Sequence, residues 1–162
     1  MLKTIRTICL VYLIAAPAVA QETVFIIRHA EKELSGDDPA LTEAGRLRAA
    51  AWAEMLGSAG IGMIVTSDTR RARETGGLIA NILAVPVTEH DWRDTAGLID
   101  ILGFDHEDDI VLVVAHTETI PGILSMLGVS DPPEIPKDDF ANLFVVRPVG
   151  GDTAALTHLR VP

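Results

Sequence analysis

Three short clusters of polar residues hold the groups from which a reaction could be assembled. They are Arg28-His29, Ser67 with Arg70, Arg71 and Arg73, and His116-Thr117-Glu118. Each follows an apolar run, at 23–27, 61–66 and 110–115 respectively. Taken singly they are ordinary: strand-end histidines are usually structural, and neighbouring arginines usually lie on a solvated helix face. Gathered at one edge, two histidines and two arginines suit a phosphoryl group. Arginine presents a planar fork that binds phosphate oxygens in pairs and stays charged at every relevant pH. A histidine beside that charge is expected to titrate low, because a second positive charge is disfavoured there. It then stays a neutral imidazole, the nucleophilic form. Arginine charge stabilises the equatorial oxygens of a phosphoryl group in transit, so the chemistry calls for neither a metal nor a cofactor.

For these groups to meet, the three apolar runs must be strands of one sheet. The β-branched and aromatic run 23–27 reads as a strand buried on both faces. Residues 30–41 are polar, broken by Gly36 and Pro39, and form a loop. Thr42 is placed to cap a helix running to Leu56, with Leu47, Ala51 and Leu56 facing the core and Gly57 after the end. A second strand spans 61–66, and Ser67 or Asp68 is expected to cap a helix over 69–83, with Pro86 just beyond it. The stretch 87–109 carries little pattern apart from a short helix at 94–102. A third strand, 110–115, leads into a helix over 119–127 with Pro121 in its first turn. A Pro-rich acidic loop, 128–139, precedes strands at 143–147 and 155–161. This alternation predicts an α/β three-layer sandwich with a largely parallel central sheet. Ligands of such folds bind past the carboxyl ends of the strands, near helix N-termini.

Composition sets outer limits. The 162 residues are 48% apolar and 22% charged, enough for one domain with a real core. The net charge of −10 argues against nucleic acid or an anionic membrane as partner, and 4% aromatic content leaves little for base stacking. Residues 1–20 have the layout of a secretory signal: Lys3 and Arg6, an apolar run from Ile8 to Ala16, then Ala18-Val19-Ala20. Cleavage after Ala20 would leave 21–162 as the mature domain, exported to the periplasm or secreted, with no membrane insertion. Removing Lys3 and Arg6 takes the net charge to −12, and Cys9, the one cysteine, leaves too. Thiol chemistry and disulfides are then excluded from the mature chain.

The motifs resemble those of a known family. Arg28-His29-Ala30-Glu31-Lys32 is similar to the Arg-His-Gly signature of the histidine phosphatase superfamily, which has a phosphoglycerate-mutase-like fold. It is closer still to the small bacterial members that read Arg-His-Ala-Glu-Lys. Leu41-Thr42-x-x-Gly45, Ser67-x-x-x-Arg71-Ala72-x-x-Thr75 and the His116-Thr117-x-Thr119-Ile120-Pro121 segment resemble further family blocks, in the family's order. The resemblance implies that His29 is the nucleophile that becomes phosphohistidine. It implies that Arg28, Arg71 and His116 cradle the phosphoryl oxygens, with Ser67 and Thr117 alongside on the substrate. Arg70 and Arg73 point elsewhere by helical geometry.

A leaving alkoxide needs a proton. Glu118, two residues after the second histidine, is the first candidate as a partly buried acid; Glu89 and Asp91 are second. Glu118 could equally be a plain carboxylate favoured by a helix N-terminus. Asp105-His106-Glu107-Asp108-Asp109 reads as a solvated turn rather than a cation site, and His90 and His158 lack metal-ligand spacing. Trp52 is expected in the core and Trp92 in loop packing. The expected activity is hydrolysis of a phosphorylated small molecule. The alternatives are a phosphate-binding protein without turnover, a phosphomutase, and a phosphohistidine-protein phosphatase with a flat, open site. Acidic residues in 31–41 and 87–109 favour a substrate with few negative charges beyond the transferred phosphate.

Overall fold

Five of the six strands grow from the apolar runs, and the order in which they pair sets the site. The computed structural model describes residues 23–150 and 152–161; the expected signal segment lies outside them. The chain forms β1 (Val24–Arg28), α1 (Glu43–Leu56), β2 (Met63–Ser67), α2 (Arg70–Leu83) and β3 (Val87–His90). There follow α3 (Thr95–Asp100), a π-helical turn (Ile101–Asp105), β4 (Val111–Ala115), α4 (Ile120–Met126), β5 (Asn142–Gly150) and β6 (Thr153–Arg160). The sheet order is β3-β2-β4-β1-β5-β6. β3, β2, β4 and β1 run parallel to one another, and β5 and β6 close the other edge antiparallel. The expected three-layer, largely parallel sandwich is therefore present.

Alternate residues of each strand feed two cores. Ile27, Ile64, Leu112 and Val114 pack beneath α1 and α2, against Trp52, Leu56 and Ile79. Val24, Ile26, Val111, Val113 and Phe144 pack on the other face against Leu98, Leu102, Ile120 and Leu124. All five residues of β4 are buried, as an unbroken apolar run in a central strand requires.

Three local expectations need correction. Leu47 is 64% exposed and Ala51 is also exposed. The buried face of α1 is instead Gly45, Ala49, Trp52, Ala53 and Leu56. Small residues at i, i+4 and i+8 let α1 approach its neighbours closely, and that stripe outweighs one leucine. At α2 neither Ser67 nor Asp68 is the cap: the N-cap is Thr69, without a side-chain cap bond. The free backbone N–H of Arg70 is taken by Asp38 from the loop before α1, at 2.9 and 3.1 Å. Finally, 87–90 is a strand. Its first three residues are exposed at the sheet edge, so it carries no apolar pattern.

Candidate active site

β1 and β4 are neighbours with Arg28 opposite Ala115, so the two histidines that follow emerge side by side. The His29 N–H donates to the Ala115 carbonyl at 3.0 Å, and the two imidazole rings lie 5.1 Å apart. Both are almost wholly buried, 3% and 1% exposed.

The partners of His29 assign its tautomer. Nδ1 lies 2.8 Å from the Ala30 carbonyl oxygen, which can only accept, so Nδ1 carries the proton. Nε2 is left with a lone pair, and the Nε–H of Arg71 donates to it at 3.2 Å. A second arm of Arg71, Nη2, reaches Nδ1 of His116 at 3.4 Å. Because guanidinium only donates, His116 accepts at Nδ1 and donates from Nε2 to Ser67 Oγ, 2.6 Å away. Arg71 thus spans both imidazoles.

Burial is the main reason both imidazoles stay neutral. It pushes His29 down to about 3, with His116, Arg28 and Arg71 adding to the effect and the Ala30 carbonyl opposing it. It pushes His116 down to about 4, with Arg71 adding and Glu118 opposing. The low value read from the sequence is thus present, but desolvation leads; guanidinium charge comes second at His116 and follows the neighbouring imidazole at His29.

Arg28 ends β1 and is 8% exposed. Its guanidinium lies 3.9 Å from the centre of the Phe140 ring, and Nη1 donates to the carbonyls of Lys137 (2.6 Å) and Asp139 (3.3 Å). Its Nε is buried without a hydrogen-bond partner, as is Oγ1 of Thr117. Burial lowers Arg28 from its usual range, and Glu118 is the leading charge opposing that shift.

Two residues tie the strand-end loop to the helices. Thr75 sits one turn beyond Arg71; its hydroxyl donates to the Arg71 carbonyl at 2.7 Å and accepts from Ala30 N–H at 3.0 Å. Gly45 lies against the Glu31 carbonyl, where any Cβ would overlap the oxygen. The glycine of the Leu-Thr-x-x-Gly block is therefore what lets α1 close on the segment after His29.

Arg28, His29, Ser67, Arg71 and His116 thus converge, and Thr117 is half-buried beside them. Glu118 does not occupy the partly buried setting expected of it: its residue is exposed. Glu89 is exposed too and lies 3.7 Å from Arg73, while Asp91 accepts from the Arg93 N–H at 2.9 Å. Arg70 bonds Glu74 at 2.7 Å and Arg73 the Asp68 carbonyl at 2.7 Å, so neither bonds a histidine.

Sequence reasoning missed the rings that flank the pair. Phe140 lies 6.0 Å from His29, and Trp92 lies 5.6 Å edge-on from His116. Both come from loops without periodic pattern; the sequence offered Trp92 only as loop packing and gave no signal for Phe140. Elsewhere, His106 pairs with Asp109 at 2.8 Å in a turn. Among the described residues no three His, Cys, Asp or Glu side chains gather as a metal site, and no helix is long and apolar enough to cross a membrane.

The family model described as histidine phosphatase superfamily (branch 1) matches residues 24–96. That stretch is similar to the superfamily's members. It spans β1 to α3 and includes Arg28, His29, Ser67 and Arg71 but stops short of His116. The fold covers more. The structure of the protein histidine phosphatase SixA complexed with tungstate superposes with a TM-score of 0.70 at 18% identity, covering 86% of this chain and 97% of that one. The native mycobacterial glucosyl-3-phosphoglycerate phosphatase gives 0.65 at 17% identity, covering 86% of this chain and 99% of that one. At such identities the likeness is one of fold. No curated protein matches the sequence.

Proposed function

We propose that the chain is a phosphatase of the phosphomonoesterase type that carries the transferred phosphoryl group on His29. The observation behind this reading is the Nε2 lone pair of a buried, neutral imidazole, held in place at Nδ1 and facing the Arg71 guanidinium. The match of residues 24–96 to the histidine phosphatase superfamily (branch 1) supports it. So do the phosphatase activities for which two fold neighbours are named, one of them bound to tungstate, an oxyanion of phosphate-like shape.

In the first step Nε2 of His29 attacks phosphorus in line with the ester oxygen; the N–P bond forms and the P–O bond breaks. Arg71 exchanges its bond to Nε2 for bonds to phosphoryl oxygens. Arg28 offers its unpartnered Nε–H, Thr117 its hydroxyl, and Ser67 keeps His116 oriented. The departing alkoxide takes a proton from Glu118, which reaches it from the solvent side; Glu89 and Asp91 are the second candidates for that role. Water then attacks phosphorus and gives its proton to the Glu118 carboxylate left by the first step; the N–P bond breaks, and its electron pair returns to Nε2. The positive charge on the oxygens comes from Arg28 and Arg71, so no metal or cofactor enters these steps.

A second reading has a specific observation behind it. With Glu118 exposed, a phosphoramidate, whose nitrogen leaving group is protonated more easily, would depend less on a buried acid. The neighbour named as a protein histidine phosphatase points the same way. Assays of purified protein on an alkyl phosphate, an aryl phosphate and a phosphoramidate, with His29→Ala as control, separate the cases. Hydrolysis of the esters above the variant's rate supports the first reading. Hydrolysis of the phosphoramidate alone supports the second. Tight phosphate binding without turnover leaves a binding protein, and transfer of the phosphoryl group to a second hydroxyl would make it a mutase.

Export from the cytoplasm is part of the proposal and rests on residues 1–20 alone. Recovery of a periplasmic or secreted product beginning at Gln21 would support it, and an intact, cell-retained N-terminus would oppose it.

A further inference from the structure

We infer that Asp38 is a specificity residue: its carboxylate lies in the cationic corner beside the phosphoryl pocket that a second anionic group of a substrate would need, so the site selects phosphate monoesters without one.

The corner is built by α2. Arg71 turns Nε and Nη2 to the two histidines, and its third nitrogen, Nη1, faces Asp38 Oδ1 at 3.8 Å. Arg73, one position past the intervening alanine, points Nη2 at Asp38 Oδ2, 3.9 Å away. The Arg70 backbone N–H donates to both Asp38 oxygens. Two guanidinium groups and a free N–H around one point would otherwise suit a carboxylate or second phosphate on the carbon chain of a substrate. Here the position belongs to the protein's own carboxylate. Glu89 reinforces it from the sheet edge, 3.7 Å from Arg73. Specificity of this kind works by repulsion: the wrong ligand meets a like charge that the right one does not.

Asp38 sits in the polar loop before α1, next to exposed Asp37. Loop position and Arg70 contact together mean that the charge can be removed without removing the cap, because asparagine also accepts from a backbone N–H. The selection acts within reach of solvent, so added salt should weaken it.

This inference rests on the phosphatase reading, and the test keeps the two apart. Glycerol 1-phosphate and glycerate 3-phosphate have the same chain length and differ in a hydroxymethyl or a carboxylate beside the carbinol. Wild-type kcat/KM should favour glycerol 1-phosphate by about tenfold or more, a bias that shrinks as salt rises. Asp38→Asn should reduce the preference to within about threefold, chiefly through KM for the carboxylated ester, and Asp38→Glu should retain it. Equal use of both esters by the wild type, or a preference unchanged in Asp38→Asn, would overturn the inference and leave the phosphatase reading standing. If neither these esters nor p-nitrophenyl phosphate turns over, the phosphomonoesterase reading fails, and calorimetric binding of the same two esters to wild type and Asp38→Asn decides the inference by the same ratio. Thermal melts of the variants separate a lost charge from a lost fold.

Discussion

The Nε–H of Arg71 donates to Nε2 of His29 across 3.2 Å, so a guanidinium rests on the atom that must attack phosphorus. The two residues come from different layers, α2 and the end of β1, and Thr75 and the Ala30 N–H hold those layers in register. When an anion enters, Arg71 has only to move its donors from nitrogen to oxygen.

Arg71→Ala is expected to lower turnover by about 10²-fold or more, as loss of a transition-state donor does elsewhere. Arg71→Lys should recover little of it, because an ammonium cannot span two imidazoles or bind two oxygens as a fork. Steady-state kinetics on an alkyl phosphate checks both. Full activity in the lysine variant would contradict the geometry.

His29 and His116 should not protonate near the ordinary histidine value of 6.5, since burial holds them at about 3 and about 4. NMR titration of the ring carbons should show both neutral down to about pH 5. The same shifts carry a stability consequence. The unfolded chain binds protons on these residues below 6.5 and the folded one does not, so stability from this source is complete above 6.5. It is lost progressively as pH falls from there toward the folded values. Melting temperature should drop between about pH 7 and about pH 5, and less steeply once both histidines are replaced by asparagine.

Glu118→Gln should slow an ester with a poor alkoxide leaving group more than it slows p-nitrophenyl phosphate, whose phenolate needs no proton. Equal slowing of both would move the acid to another group. The exposed position of Glu118 makes this the informative comparison for that residue.

Gly45→Ala is expected to destabilise the fold by roughly 1–3 kcal/mol, because the new methyl meets the Glu31 carbonyl and the rigid backbone must shift. Thr75→Val should cost a similar amount, roughly 1–3 kcal/mol, by stranding the buried Ala30 N–H. Chemical denaturation measures both. A Gly45→Ala variant as stable as wild type would mean that α1 is free to move outward.

Much of the fold was readable because the central strands are buried on both faces, leaving continuous apolar runs at 23–27 and 110–115. The site was readable because its residues sit where those runs stop. What escaped followed from the opposite condition. Val87–His90 forms an edge strand with exposed side chains, so its pairing depends on β2 rather than on its own pattern. The helix face of α1 was misjudged because close packing selected Ala49 and Ala53 over Leu47. Asp38, Trp92 and Phe140 lie in loops, where spacing says nothing about what comes near. The capping of α2 by Asp38 joins positions far apart in sequence, a relation no local rule contains.

The central claim is a covalent phosphoryl group on His29. Rapid mixing with a phosphate ester, an alkaline quench and peptide mass spectrometry would test it directly. An alkali-stable, acid-labile phosphoryl adduct on the peptide containing His29, absent from His29→Ala, is the predicted result. Turnover with no adduct at that position, or undiminished turnover in His29→Ala, would contradict the account.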